Sequence, residues 1–170
     1  GAAGGAALSP VTGQLTSGKL NDGEFDTTFD HDAAGFMGRD ALMGVRWIPA
    51  GTQGSAHVEF TCIRRRCVAQ RTEAGQVTFV KDDKYLITAL IRSPGTATIT
   101  GTIQLTTFVN GTAKEAPFRF SATKDWTTLT TANGPLHADV AGVGLMVTSL
   151  ELDQPGAVLD MRMLAYTYRS

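Results

Sequence analysis

Apolar and polar positions alternate along much of this 170-residue chain, with a period of two. That period puts successive side chains on opposite faces of an extended strand. The clearest block runs from Lys84 to Thr131. In Lys84–Arg92, Tyr85, Ile87, Ala89 and Ile91 fall on one face, and Leu86, Thr88, Leu90 and Arg92 on the other. In Ala97–Phe108, Ile99, Gly101, Ile103 and Leu105 make a core face. Thr98, Thr100, Thr102, Gln104, Thr106 and Phe108 make a second face of hydroxyls and an amide. Asn110-Gly111 marks a tight hairpin turn, because its central residues need positive φ. Phe118–Phe120 and Asp125–Thr130 continue the pattern. Branched and aromatic side chains bounded by Pro, Gly and Asn suit a pleated, half-buried surface.

The flanks supply partner strands. Leu20–Asp26 reads as a turn feeding a short strand. Residues 27–55 lack a period but hold Phe36, Met37, Val45, Trp47 and Ile48, which predicts a long ordered excursion over the domain. Ala56–Cys62 alternates and, with Cys67–Gln70, predicts a hairpin tipped by Arg64-Arg65-Arg66. Val77–Val80 leads through Asp82-Asp83 into the central block. Val143–Leu150 and Ala157–Tyr166 predict two further strands, joined by a turn at Gln154-Pro155-Gly156. No stretch sustains a capped 3.6-residue period. Many short strands at regular spacing predict an all-β domain, a jelly-roll β-sandwich of two antiparallel sheets over residues 20–170. Residues 1–19, rich in Gly, Ala, Ser and Thr, read as an arm, either flexible or packed on another protein subunit.

Composition narrows the function. A chain of this length buries about 70% of its unfolded surface and needs no metal or disulfide merely to fold. Lys+Arg 15 against Asp+Glu 16 gives a net charge of -1, without the basic stripe of a nucleic-acid binder. No apolar run approaches the roughly 20 residues of a membrane helix. No signal-peptide pattern is present, and Gly1 in place of an initiator Met reads as a processed or engineered start.

Several segments occur in an order that resembles jelly-roll carbohydrate-binding modules, the galactose-binding-like domains. Asn21-Asp-Gly-Glu-Phe-Asp26 is similar to their opening "N-G-x-F-E" strand, and Lys84–Arg92 to their "Y-x-L-S-A-x-V-R" strand. Asp125-Trp126-Thr-Thr-Leu129 resembles "W-x-x-L", and Val158-Leu-Asp160 stands where the modules have "I-D-D". The resemblance covers roughly residues 20–168. It implies a non-catalytic, extracellular or surface-exposed module that binds a glycan or polysaccharide. The same architecture also serves structural virion domains (capsid decoration or tail) and other assembly domains, so fold does not settle function. In the resembling modules the hydroxyl-and-amide face corresponds to the concave face that grips a glycan. Sugar binding needs aromatic platforms together with amides, Arg or carboxylates. Arg92, Gln104, Phe108 and Tyr166 supply such groups, and Trp47, beside Arg46, Pro49 and Gly51, is a further ligand candidate. Trp126 reads as core packing. The resemblance also implies a structural calcium ion, held by Asp26 after the opening Phe25 and by Asp160 in the last strand. Asp26 is shorter than the modules' Glu, and Met161 replaces their second acid.

The remaining motifs are less specific. Across a hairpin, Cys62 and Cys67 can approach as a disulfide requires; two reduced core thiols are the other reading. Two cysteines cannot make a four-ligand zinc site. Asn110-Gly111-Thr112 is a glycosylation sequon that the turn already explains. His31 with Asp30, Asp32 and Asp40 is the one cluster suggestive of metal or catalysis. No nucleophilic triad or phosphate loop is legible, so the chain reads as no enzyme.

Overall fold

The computed structural model describes residues 17–19, 23–51, 54–82, 84–95, 97–131, 136–137 and 141–169. Most of the predicted arm lies outside them. The described chain is all β: β1 (Ser17–Lys19), β2 (Gly23–Thr28), β3 (Met37–Gly38), β4 (Met43–Ile48), β5 (His57–Cys62), β6 (Cys67–Phe79), β7 (Lys84–Arg92), β8 (Ile99–Val109), β9 (Thr112–Ala122), β10 (Thr127–Thr130), β11 (Leu136–His137), β12 (Gly142–Leu152) and β13 (Val158–Arg169). They form two sheets. The first runs β1-β6-β12-β8-β9, with β3 also on β6. The second runs β10-β7-β13-β5-β4, with β11 also on β7 and β2 also on β13. Pairing is antiparallel except between β1 and β6. This is the jelly-roll sandwich that the alternation predicts.

The core sits between the sheets, and strand parity assigns it as expected. Ile87, Ala89 and Ile91 of β7 face Ile103 and Leu105 of β8, with Phe60, Met146, Leu150, Leu159 and Leu164. Each such Ile, Leu, Met or Phe side chain contributes about 1.5–3 kcal/mol when taken out of water. The Asn110-Gly111 turn joins β8 to β9 with φ of 51° and 77°, the positive values expected there. β9 is the outermost strand of its sheet, and Pro117 stands in its middle opposite Gln104.

Two sequence expectations are corrected. The excursion at 27–55 is not wholly irregular: Met43–Ile48 is an edge strand on β5, with Met43 opposite Cys62 and Trp47 opposite Val58. Its pattern is short and broken by Gly44, so alternation alone did not reveal it. The second concerns Cys62 and Cys67. β5 and β6 do not form a hairpin; they lie in different sheets. Ile63–Arg66 crosses between the sheets, and a disulfide with a Cα–Cα distance of 5.3 Å ties the sheets together at that corner.

A polar network also crosses the interior. Arg71 and Glu73 of β6 point inward and are buried. Arg71 donates from Nε to Glu73 Oε2 at 2.6 Å and from Nη2 to Oε1 at 2.9 Å. It also donates to the Ala34 carbonyl at 3.3 Å and lies over the Phe36 ring, 4.7 Å from its centroid. Thr148 Oγ1 donates to Glu73 Oε2 at 2.8 Å. That uses the Thr148 proton, so the Tyr166 hydroxyl, from the opposite sheet, donates to Thr148 Oγ1.

Candidate functional site

The outer face of the first sheet is built row by row from its register. Directly opposed residues on neighbouring strands project to the same side. Met37, Gln70, Ser149, Gln104 and Pro117 form one such row across β3, β6, β12, β8 and β9. Val68, Glu151, Thr102 and Arg119 form the row beside it. On the other side come Thr72, Val147, Thr106 and Glu115, and beyond them Leu145, Phe108 and Ala113. Strands lie about 4.8 Å apart, so the five-strand row spans about 19 Å.

A depression of about 120 Å³ opens in the middle, lined by Arg39, Val68, Gln70, Thr102, Gln104, Ser149 and Glu151. One Gln104 amide proton goes to Thr106 Oγ1 at 3.3 Å, leaving its second proton and its carbonyl for the surface. At the rim, Arg119 grips Asp153 in a fork, with Nη1 donating to Oδ1 at 2.9 Å and Nη2 to Oδ2 at 2.6 Å. Arg119 Nη1 also donates to Thr102 Oγ1 at 3.1 Å. The Arg119 hydrogen bonds first, and that from Thr100 second, lower the Asp153 carboxyl from 3.8 to about 2. The depression therefore joins two amides, hydroxyls and a half-buried carboxylate in one shallow bed. Met37, 64% exposed, flanks it on one side, and Phe108, 42% exposed, lies two rows away.

The expected ligand residues separate. Gln104 and Phe108 share this face. Tyr166 does not: it is 3% exposed, inside the sandwich, and burial foremost raises its hydroxyl pKa well above the usual value. Trp47 is half-buried against the core, and its indole N–H donates to the Phe29 carbonyl at 2.6 Å. It anchors β4 to the preceding segment. Arg92 lies on the outer face of the second sheet. Sequence reading missed Arg39, Gln70, Ser149, Glu151 and Arg119, because only cross-strand register brings them together.

Arg92 belongs to a separate cluster. Its Nε donates to Asp160 Oδ2 at 2.9 Å, and its guanidinium stacks on Trp126 at 4.6 Å. Arg162 covers the same ring at 4.7 Å. Buried His57 donates from Nδ1 to the Ser55 carbonyl at 2.8 Å and turns Nε2 towards Asp160 Oδ2 at 3.6 Å. Trp126 thus bridges two guanidiniums on the outer face. Arg92 occupies Asp160 Oδ2, while Asp160 Oδ1 is buried without a hydrogen-bond partner; a calcium ion would need six to eight oxygen ligands. Asp26 pairs with Ala165, five residues along β13 from Asp160, and its side chain is not among those described. No group of three or more His, Cys, Asp or Glu suited to a metal occurs among the described residues.

A larger cleft, about 520 Å³, opens at one end of the sandwich and includes Glu59, Pro94, Thr98, Gln154 and Pro155. Its one carboxylate, Glu59, is already paired with Arg46 at 3.1 Å. The sheet-face depression carries the more convergent polar groups despite its smaller volume.

No protein-family model and no curated protein sequence matches the chain. Solved structures do. The CBM22-1 xylan-binding domain of Paenibacillus barcinonensis Xyn10C aligns with a TM-score of 0.60 at 14% identity, over 86% of this chain and 94% of that one. The CBM22-1–GH10 modules of Clostridium thermocellum xylanase 10B, complexed with xylohexaose, align with a TM-score of 0.63 at 12% identity, over 89% of this chain and 29% of that one. The family 11 carbohydrate-binding module of Clostridium thermocellum, in complex with a mixed-linked tetrasaccharide, aligns at 0.52 and 10% identity, over 78% of this chain and 87% of that one. The chain has the fold of these carbohydrate-binding modules.

Proposed function

We propose that the chain is a non-catalytic carbohydrate-binding module that takes a polysaccharide in the depression on its first sheet. One observation carries the reading: Gln70, Ser149, Gln104 and Glu151 converge, open to solvent, in a shallow bed on a rigid sheet. Amides both donate and accept, and a carboxylate accepts from two hydroxyls at once, which suits a ligand covered in hydroxyl groups. Structural neighbours described as binding xylan and a mixed-linked tetrasaccharide support the ligand class. Glycoside hydrolysis needs two carboxyl groups set across the bond to be cleaved. Here the next acid along the face, Asp153, is held by Arg119 and Thr100. Binding without cleavage is therefore the better reading. The Cys62–Cys67 bridge suits an exported, extracellular setting.

Glycan-array screening, followed by affinity electrophoresis in xylan and mixed-linked glucan, tests this. Gln104→Ala and Glu151→Ala should each weaken binding by about five- to tenfold, the cost of losing roughly one hydrogen bond. Their melting temperatures should stay unchanged. An array without hits, or both variants binding as the parent does, overturns the reading.

A further inference from the structure

The crossover Ile63-Arg64-Arg65-Arg66 is absorbed by neither the core nor the depression. All four residues are exposed, yet the loop is firmly held. The Cys62–Cys67 bridge closes it. The Ile63 and Arg64 amides donate to the Leu42 carbonyl at 2.9 and 3.4 Å. At its base, the Cys62 amide donates to the Ala157 carbonyl at 2.9 Å, and the Gly156 amide to the Cys62 carbonyl at 2.7 Å. A guanidinium from outside the loop, Arg39, donates from Nη2 to the Arg66 carbonyl at 3.5 Å. The loop therefore presents its three arginines from a fixed frame.

Those arginines have charge to spare. Among the described residues none of the three makes a salt bridge within 4.0 Å. Arg65 adds only a minor share to the field that lowers Asp153. The contact of Arg39 with Arg66 locates the loop. Asp153 is the rim acid gripped by Arg119, and Arg39, which touches Arg66, lines the depression itself. Around a chain of net charge -1, this is a concentrated cationic edge contiguous with a bed of hydroxyl and amide groups.

We propose that the clamped arginine loop recognises the carboxylates of an acidic polysaccharide, a polyuronate, whose chain runs from the depression across its rim. The inference rests on the glycan reading of the depression and adds a charged substituent to the ligand. Guanidinium forks match carboxylates in two parallel hydrogen bonds. A frame already fixed loses little further freedom on binding. Nucleic acid fits less well, since the loop carries no aromatic side chain on which bases could stack.

The test compares polygalacturonate with its carboxyl-reduced, neutral form in affinity electrophoresis of the full chain. The polyuronate should be retained about tenfold more strongly, three exposed charge pairs each contributing a small factor. That preference should vanish in the triple variant R64S/R65S/R66S, at an unchanged melting temperature, and at about 0.5 M salt, where screening is short-ranged. Equal retention of the two polymers overturns the proposal. So does retention unaltered in the triple variant, or an oligothymidylate held as strongly as the polyuronate. Failure of the depression reads differently: neutral glycans are then not bound at all, while the polyuronate arm still reports on the loop.

Discussion

Arg71 is among the largest fully buried side chains in the molecule, and its placement has a measurable cost. A charge in the interior is tolerated only when it is paired and its protons are used. Here Glu73, the Ala34 carbonyl and the Phe36 ring meet those needs. Arg71→Ala should therefore leave Glu73 as an unpaired buried carboxylate and destabilise the fold by about 3–5 kcal/mol, read from the denaturant midpoint. A loss below about 1 kcal/mol would mean that water reaches Glu73. Asp153 makes a second prediction. Its folded pKa, about 2, lies below the ordinary value of 3.8. The unfolded chain thus takes up its proton first as pH falls. The stabilisation is present above about pH 4 and is lost as pH drops towards about 2. Asp153→Asn should flatten the stability-against-pH curve in that window alone. A curve parallel to the parent's would show that the fork with Arg119 contributes nothing in solution.

At the scale of elements, alternation was a good guide wherever a strand is long and one face is buried. β7, β8 and β13 were legible because Ile87, Ala89, Ile91, Ile103 and Leu159 recur at every second position and are all buried. β4 was hidden because Gly44 and Arg46 leave its outward face without a pattern, and its inward residues are widely mixed in size. The Cys62–Cys67 bridge was foreseen as one alternative, but as a hairpin closure. Two sequence-adjacent strands can pair or can part into opposite sheets, and local pattern does not distinguish these. Closing so short a loop restricts the unfolded chain by about 2 kcal/mol. The double variant C62A/C67A should melt about 4–8 °C lower, at roughly 2–4 °C per kcal/mol for a domain of this size. Two alkylated thiols in the unreduced parent, seen by mass spectrometry, would show instead that the bridge does not form.

For the whole molecule, the fold was far more readable than the site. Fold class follows from periodicity and turn residues, which are local. The candidate site depends on which residues stand abreast on β3, β6, β12, β8 and β9, where Met37 and Ser149 of a single row are 112 positions apart in the chain. Gln104 was visible because its own strand has a polar face; Gln70 and Glu151 join it only through register. Tyr166 was misplaced for the converse reason. Its position in β13 points inward, and its hydroxyl finds a partner in Thr148 that no local pattern announces.

Pro117 has a consequence for the molecule among its own copies. β9 runs eleven residues along the rim of a sheet, with β8 as its strand neighbour among the described residues. Such a rim is a template on which another chain can grow a strand. Proline, lacking an N–H, is accepted only where its nitrogen points away from the sheet, and there it interrupts the row of donors that an incoming strand would need. Lys114, Glu115 and Arg119 add charges that an approaching copy would have to desolvate. Pro117→Val should keep the fold and the melting temperature while increasing concentration-dependent association, measured by light scattering over a dilution series. Scattering equal to the parent's at every concentration would place the barrier to fibrillar growth elsewhere.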